Sequence, residues 1–256
     1  MKKGSPMIYI SHLLPDEEMR DVIEKTGAGV ESIEFSVSEN LDHLSESIRS
    51  YKKRLQMMGT EKLTIHGPFL DLNPMAFDKE IYRVTKMRYE QAYIAACELG
   101  ARKIVYHTCL YPDAYLLIGW ADRVAEFYRE FLQNKKEMEI VLENVFDRKW
   151  EPLKEVVEKV GMPNFRLCFD AGHANCFSEA PICDWTENLG NYITHLHLHD
   201  NSGSRDSHLG LGCGNVPVDR IFYSLRGRAF TCAIECGTRE GVMQSYCRLL
   251  QLGYKE

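Results

Sequence analysis

A chain of 256 residues is long enough for one large domain with a buried core. Its hydrophobic content of 45% and charged content of 27% exclude wholesale disorder. Lys and Arg number 31 against 37 Asp and Glu, and the resulting formal charge of -6 argues against a dedicated nucleic-acid coat or a polybasic membrane anchor.

The chain opens on MKKGSPMIYISHLLP, whose short apolar stretch is broken by Ser11 and His12 and lacks a small-residue cleavage site, so no secretory leader is expected. Short β-rich runs then recur: MIYISH (7–12), SIEFSV (32–37), KLTIHG (62–67), KIVYHT (103–108), EIVLENV (139–145), FRLCFDAG (165–172), ITHLHLHD (193–200) and TCAIECG (231–237). Between them lie segments with apolar residues at helical spacing. Examples are Ala92, Ala95, Ala96 and Leu99 ahead of Gly100, then Val124, Phe127, Tyr128 and Phe131, then Leu153, Val156, Val157 and Val160. Eight such units average 32 residues, the length of a strand, a helix and two loops. Strict βα alternation implies parallel strands joined by right-handed crossovers, and eight of them close into a (β/α)8 TIM barrel. No G-x-G-x-x-G follows the first run, where an open doubly wound sheet would carry its phosphate turn. The expected fold is therefore α/β, a single-domain barrel over residues 1–256. No apolar run approaches the roughly 20 residues of a membrane helix. Nine scattered cysteines without a C-x-x-C pair suit free thiols, and a cytoplasmic location is expected.

A barrel strand is apolar where it points inward, yet six of these runs place His66, His107, Glu143, Asp170, His197 and Glu235 at their C-terminal ends. Burying such groups without partners costs several kcal/mol each. In a parallel barrel the C-terminal strand ends surround the active-site mouth, so all six converge on one small volume. Two residues earlier, with the same parity, stand Thr64, Val105, Val141, Cys168, His195 and Ala233, which make an inner layer. Glu143, Asp170, His197 and Glu235 combine three carboxylates and one imidazole, with no Lys or Arg among the strand ends. Like charges so packed must protonate or bind a cation, and an oxygen-rich set suits Mn2+, Mg2+, Co2+ or Zn2+.

Loops supply further candidates. His173 follows Asp170 by three residues, past a turn expected at Gly172, and is read as a cation or substrate ligand. Asp206 and His208 form a D-x-H pair ahead of Gly210, Gly212 and Gly214, whose backbone can fold closely over a site. Phe69 and Leu70 offer an apolar wall, Tyr111 or Trp150 a stacking face for a sugar ring, and Arg148, Lys149, Arg205 and Arg239 cations for a phosphate. His199, one layer above His197, is read as touching substrate or solvent, and His195, one layer below, as a satisfied core or supporting histidine. His12 is read as pocket wall or surface loop, and His43 as surface.

In chain order, IHGPFLDLNP (65–74), YHT (106–108), LEN (142–144), FDAGHA (169–174), HLHLHDN (195–201), DSHLGLGCGN (206–215) and IECG (234–237) resemble the xylose isomerase-like barrel superfamily. The likeness runs from about the third strand to the eighth. That group holds sugar and sugar-phosphate isomerases and epimerases together with type-IV apurinic/apyrimidinic endonucleases. For the epimerase branch the resemblance implies one divalent ion on Glu143, Asp170, His197 and Glu235, with the two glutamates moving a proton beside a carbonyl. For the endonuclease branch it implies three zinc ions on His66, His107, Glu143, Asp170, His173, His197, Asp206, His208 and Glu235, and none of these is missing. Cys213 stands where such loops often read G-E-G.

Three functional expectations follow. The first is a metal-dependent isomerase or epimerase of a small polyol, sugar or sugar phosphate, working through an enediolate with one to three divalent ions. In it Glu143 and Glu235 are the acid–base pair, and Phe69, His173, His199, Arg205 and Arg239 face the substrate. The second is metal-dependent phosphodiester hydrolysis at abasic DNA, against which stand the overall charge and the acidic SENLDH (38–43). The third is a non-catalytic barrel binding metal or sugar, which needs no acid–base pair. No membrane partner is expected, and a homo-oligomer is compatible with the sequence.

Overall fold

In the computed structural model, which describes residues 7–112 and 119–254, eight parallel strands run in sequence order around a closed barrel. They are β1 (Ile8–Ser11), β2 (Gly29–Ser32), β3 (Leu63–His66), β4 (Lys103–His107), β5 (Glu139–Glu143), β6 (Phe165–Asp170), β7 (Ile193–Leu198) and β8 (Thr231–Ile234). Closure comes from β8 against β1, where Cys232, Ala233 and Ile234 lie opposite Ile8, Tyr9 and Ile10. The helices among the described residues are α1 (Asp16–Thr26), α2 (Ser38–Asp42), α3 (Leu44–Met58), α4 (Lys79–Leu99), α5 (Trp120–Phe131), α6 (Glu151–Val160), α7 (Ala171–Phe177), α8 (Ile182–Leu189), α9 (Val218–Ser224) and α10 (Arg239–Gln251). The first six residues of the segment read above for a leader lie outside the described residues.

Strand parity explains the layering. Val105, Val141 and Cys168 form a small apolar cluster of their own inside the barrel. Their neighbours Ile104, Tyr106, Ile140, Leu142, Leu167 and Phe169 turn the other way, into the main core under the helices. Thr64, His195 and Ala233 are buried as the remaining members of the expected inner layer. The helical stripes pack as their spacing predicts: Val124, Phe127, Tyr128 and Phe131 of α5 and Leu153, Val156, Val157 and Val160 of α6 are all buried. Each such side chain contributes about 1.5–3 kcal/mol by leaving water, which holds the shell to the barrel. Gly100 ends α4 in the left-handed conformation (φ 70°) and returns its N–H to Ala96 and Cys97.

The second strand is not where the alternation of SIEFSV puts it. β2 ends at Ser32, and Glu34–Ser36 form a 3-10 turn. Phe35 is buried edge-on to Tyr51 of α3 at 5.9 Å between ring centroids, while Glu34 pairs with Arg54 at 2.7 Å. The alternating run therefore belongs to the helical shell. The strand itself reads GVES, and a Cβ on Gly29 would come within 2.6 Å of Tyr9, so this close approach requires glycine.

Four strands also stop two or three residues short of their expected ends, β5 at Glu143, β6 at Asp170, β7 at Leu198 and β8 at Ile234. At β6 the cause is local. The Asp170 carboxylate accepts the His173 N–H at 2.6 Å and caps α7, so Ala171 and Gly172 are helical where a turn was expected. All nine cysteines are free, and no helix among the described residues is long and apolar enough to cross a membrane.

Candidate metal centre

His66, His107, Glu143 and Asp170 are the last residues of β3, β4, β5 and β6, His197 is the last but one of β7, and Glu235 follows β8 directly. His173 comes from the first turn of α7. Asp206 and His208 lie in the loop between β7 and α9, which is folded back by the paired backbone bonds of Asp200 and Leu209 (2.8 and 2.9 Å). The buried Asp200 carboxylate accepts the N–H groups of Asn201, Gly212 and Val216 at 2.8–3.0 Å, gathering the glycine-rich segment around itself. A Cβ on Gly214 would lie 2.2 Å from the Asn201 carbonyl, so this fold-back needs a residue without a side chain.

The nine predicted donors form one continuous cluster with three centres. Glu143 Oε2 lies 3.3 Å from His66 Nε2 and 3.4 Å from His107 Nε2, and the two imidazole nitrogens are 3.1 Å apart. His197 Nδ1 lies 3.2 Å from Glu143 Oε1, 3.3 Å from Glu235 Oε1 and 3.9 Å from Asp170 Oδ2. Asp206 Oδ2 lies 3.2 Å from His208 Nε2 and 3.4 Å from His173 Nε2. Glu143 spans the first two centres with its two oxygens.

These separations and the bonding of the donors fit divalent ions. Donors about 2.1 Å from a shared ion stand about 3.0–3.4 Å from one another at right-angled to tetrahedral coordination. Glu143 Oε2, His197 Nδ1 and Asp206 Oδ1 are buried without hydrogen-bond partners, an arrangement that is costly unless a cation completes it. The ion pairs of Glu143, Asp170, Asp206 and Glu235 run to histidines. Burial alone would raise the Glu143 carboxyl, but His197 and His107 hold it well below the usual carboxylate range. Burial likewise works to lower His197 and His173, yet the surrounding carboxylates hold both well above the ordinary imidazole value. The cluster thus demands positive charge, which protons or metal ions can supply.

The other candidates divide. Phe69 stacks on His107 at 4.3 Å between centroids and meets His66 edge-on at 5.3 Å, so it lines the centre, whereas Leu70 is exposed. Tyr111 joins an aromatic row at the mouth through Phe146 (5.7 Å) and Phe177 (5.0 Å), but Trp150 packs against the core instead. Arg205 and Lys149 are exposed, Arg148 pairs with Glu179, and Arg239 pairs with Asp21 on α1 rather than standing free at the mouth. His199 is neither solvated nor at a rim. It is fully buried, with Nε2 3.2 Å from Asp170 and its ring stacked on His208 at 3.9 Å. His12 is buried away from the pocket between Tyr51 (2.9 Å) and Asp16 (3.0 Å), and His43 is exposed. His195 is satisfied by Thr231 at 2.6 Å and Glu31 at 3.0 Å.

Two residues escaped the sequence reading. Asn144 brackets Asp170, its amide donating to the Asp170 carbonyl and its oxygen accepting the Asp170 N–H, both at 2.9 Å. Glu31 of β2 is buried beneath His197 at 2.9 Å. Its signal was a lone acidic residue in GVES, hidden because the strand was placed three residues too late.

The family described as xylose isomerase-like TIM barrel matches residues 26–249. Over 206 residues the chain is 28% identical to the uncharacterized protein MJ1311 of Methanocaldococcus jannaschii, a match covering 74% of this chain and 69% of that one. The TTHB071 protein of Thermus thermophilus, soaked with ZnCl2, superposes with a TM-score of 0.78 at 25% identity, over 96% of this chain and 97% of that one. A D-tagatose 3-epimerase-like protein superposes with a TM-score of 0.77 at 23% identity, over 96% of each chain. With a match that takes in seven of the eight strands and the whole donor cluster, the chain belongs to the xylose isomerase-like TIM barrel family.

Proposed function

We propose that this protein is a divalent-metal-dependent isomerase or epimerase of a sugar or sugar phosphate. The observation that carries the reading is the placement of two glutamates. Glu143 and Glu235 come from strand ends three strands apart around the mouth and reach the same nitrogen of His197 at 3.2 and 3.3 Å, so two carboxylates border one small space. Glu143, Asp170, His197 and Glu235 would hold an ion such as Mn2+, Zn2+, Mg2+ or Co2+, which would supply Lewis acidity to neighbouring carbonyl and hydroxyl oxygens of the substrate. One glutamate takes the proton from the carbon beside the carbonyl, and the other, protonated, gives its own proton to the opposite face of the enediolate, with solvent exchange resetting the pair. Ser11 donates to Glu235 at 3.0 Å and fixes the direction of that carboxylate. Phe69, flat against His107, offers an apolar wall to one side of a sugar. His173, with the exposed Arg205 from the loop after β7, completes the proposed substrate surroundings. Kinship of fold with a D-tagatose 3-epimerase-like protein supports the substrate class.

Incubation of the Mn2+-loaded protein with a panel of ketoses in D2O tests this. Deuterium is expected at the carbon next to the carbonyl, and Glu235→Gln is expected to slow its uptake about 100-fold or more. Undiminished exchange in the variant removes Glu235 from the chemistry. A second reading, phosphodiester hydrolysis, is favoured by the convergence of His66, His107, His173, Asp206 and His208 beyond the four donors that the first requires. Chelator-sensitive incision of an abasic duplex, with no exchange on any sugar, would put that reading first.

A further inference from the structure

Beside the donor cluster, the mouth carries a row of aromatic rings that the chemistry proposed above does not use. Tyr111, in the loop after β4, lies 5.7 Å from Phe146, in the loop after β5, with the two ring planes 35° apart. Phe146 meets Phe177, the last residue of α7, edge-on at 5.0 Å, and Phe177 lies 6.4 Å from His173. His173 Nδ1 is 3.3 Å from Glu143 Oε1, so the row ends on the reacting centre. The outer two rings stand in water, Tyr111 at 42% and Phe146 at 39% exposure. Their loops are nonetheless tied together, because the buried Asp147 carboxylate accepts the Thr108 hydroxyl at 2.7 Å and the Val145 N–H at 2.9 Å. Two adjacent rings braced in water leave the free energy of burial unused unless a ligand covers them.

The flanks of the row set the kind of ligand. Arg148 and Glu179 each stand two residues from one of the rings, are exposed, and face each other at 3.6 Å. The Glu179 N–H donates to the Arg148 carbonyl at 2.9 Å, which holds the two flanks side by side. Aromatic faces for C–H groups, next to a guanidinium and a carboxylate for hydroxyls, match the apolar face and polar edge of a pyranose ring. A protein or lipid surface calls for a broader apolar patch without a charged pair inside it. A single sugar ring seated on the four donors comes up to His173, whereas Phe146 and Tyr111 stand two and three ring contacts further out. We propose that Phe146 and Tyr111 form a subsite for a second sugar ring, so that the substrate is a ketose bearing a glycosidic pyranose rather than a free monosaccharide. This rests on the isomerase or epimerase reading above and narrows its substrate class.

Calorimetric titration of the Mn2+-loaded protein with D-fructose, maltulose and isomaltulose, the last two being fructose with a glucopyranosyl ring attached, tests this by affinity rather than turnover. Wild type is expected to bind at least one of the two disaccharides about 10-fold or more tighter than D-fructose. In Phe146→Ala that ratio is expected to fall to about 1–3. Tyr111→Ala is read in the same way and carries the test if Phe146→Ala does not fold. Equal affinity for the monosaccharide and both disaccharides, or a gain that both variants keep, overturns the subsite. A gain shown only by phenyl β-D-glucoside over D-glucose overturns it as well, since the rings then take an apolar group and not a sugar. Binding of none of these sugars by the wild type overturns the sugar reading itself, and the subsite falls with it.

Discussion

Asp170 joins local folding to the site within one side chain. Its carboxylate caps α7 by accepting the His173 N–H, and it also faces His199 and His197. The tightness of this corner rests on Gly172, where a Cβ would lie 2.0 Å from His199 Cε1. His199 has no room to yield, being wedged between Asp170 and the ring of His208. In a helix, alanine is preferred over glycine by about 1 kcal/mol, whereas overpacking a filled site costs about 1–3 kcal/mol. Gly172→Ala is therefore expected to lower the urea unfolding midpoint, and a raised midpoint would show that helix propensity wins and His199 is free to move. The donors were legible because charged and imidazole groups at strand ends contradict a buried sheet. The burial of His199 was not, since parity gives the direction of a side chain but not what α7 and the following loop lay over it.

At the scale of elements, the least legible part was the segment after α1. SIEFSV alternates as a strand does, but period-two alternation over six residues also fits a turn that buries Phe35 and sends Glu34 outward. There Arg54 of α3 bonds both oxygens of Asp16 at 2.8 and 2.9 Å and reaches Glu34 at 2.7 Å, tying α1, α3 and the end of β2 together. His12 sits inside this network, and burial together with Arg54 lowers its pKa below the ordinary 6.5 despite Asp16 and Glu34. The folded protein thus favours the neutral ring, and the unfolded chain takes up a proton more readily as pH falls below 6.5. His12 accordingly supports the fold above that pH, and its contribution is lost on acidification toward the folded value. Thermal unfolding measured from about pH 7.5 to about pH 5 is expected to fall more steeply in wild type than in His12→Gln. Parallel profiles would show that His12 does not titrate differently on folding.

For the whole molecule, eight βα beats in a chain of this length made the barrel legible, and the closed sheet follows from them. The reaction was less so, because the same mouth geometry suits proton transfer beside a carbonyl and hydrolysis of a phosphodiester. What separates the two lies in loop side chains whose partners the sequence does not reveal, such as Arg239 drawn to Asp21 and Arg148 to Glu179. The assembly of donors from distant segments around one cation is the claim on which both readings stand. Anomalous scattering from crystals grown with Mn2+ or Zn2+ measures it directly. The expected result is a peak about 2.0–2.3 Å from Glu143, Asp170, His197 and Glu235. A mouth with no such peak in the presence of either ion, or an ion bound only away from these four side chains, would contradict it.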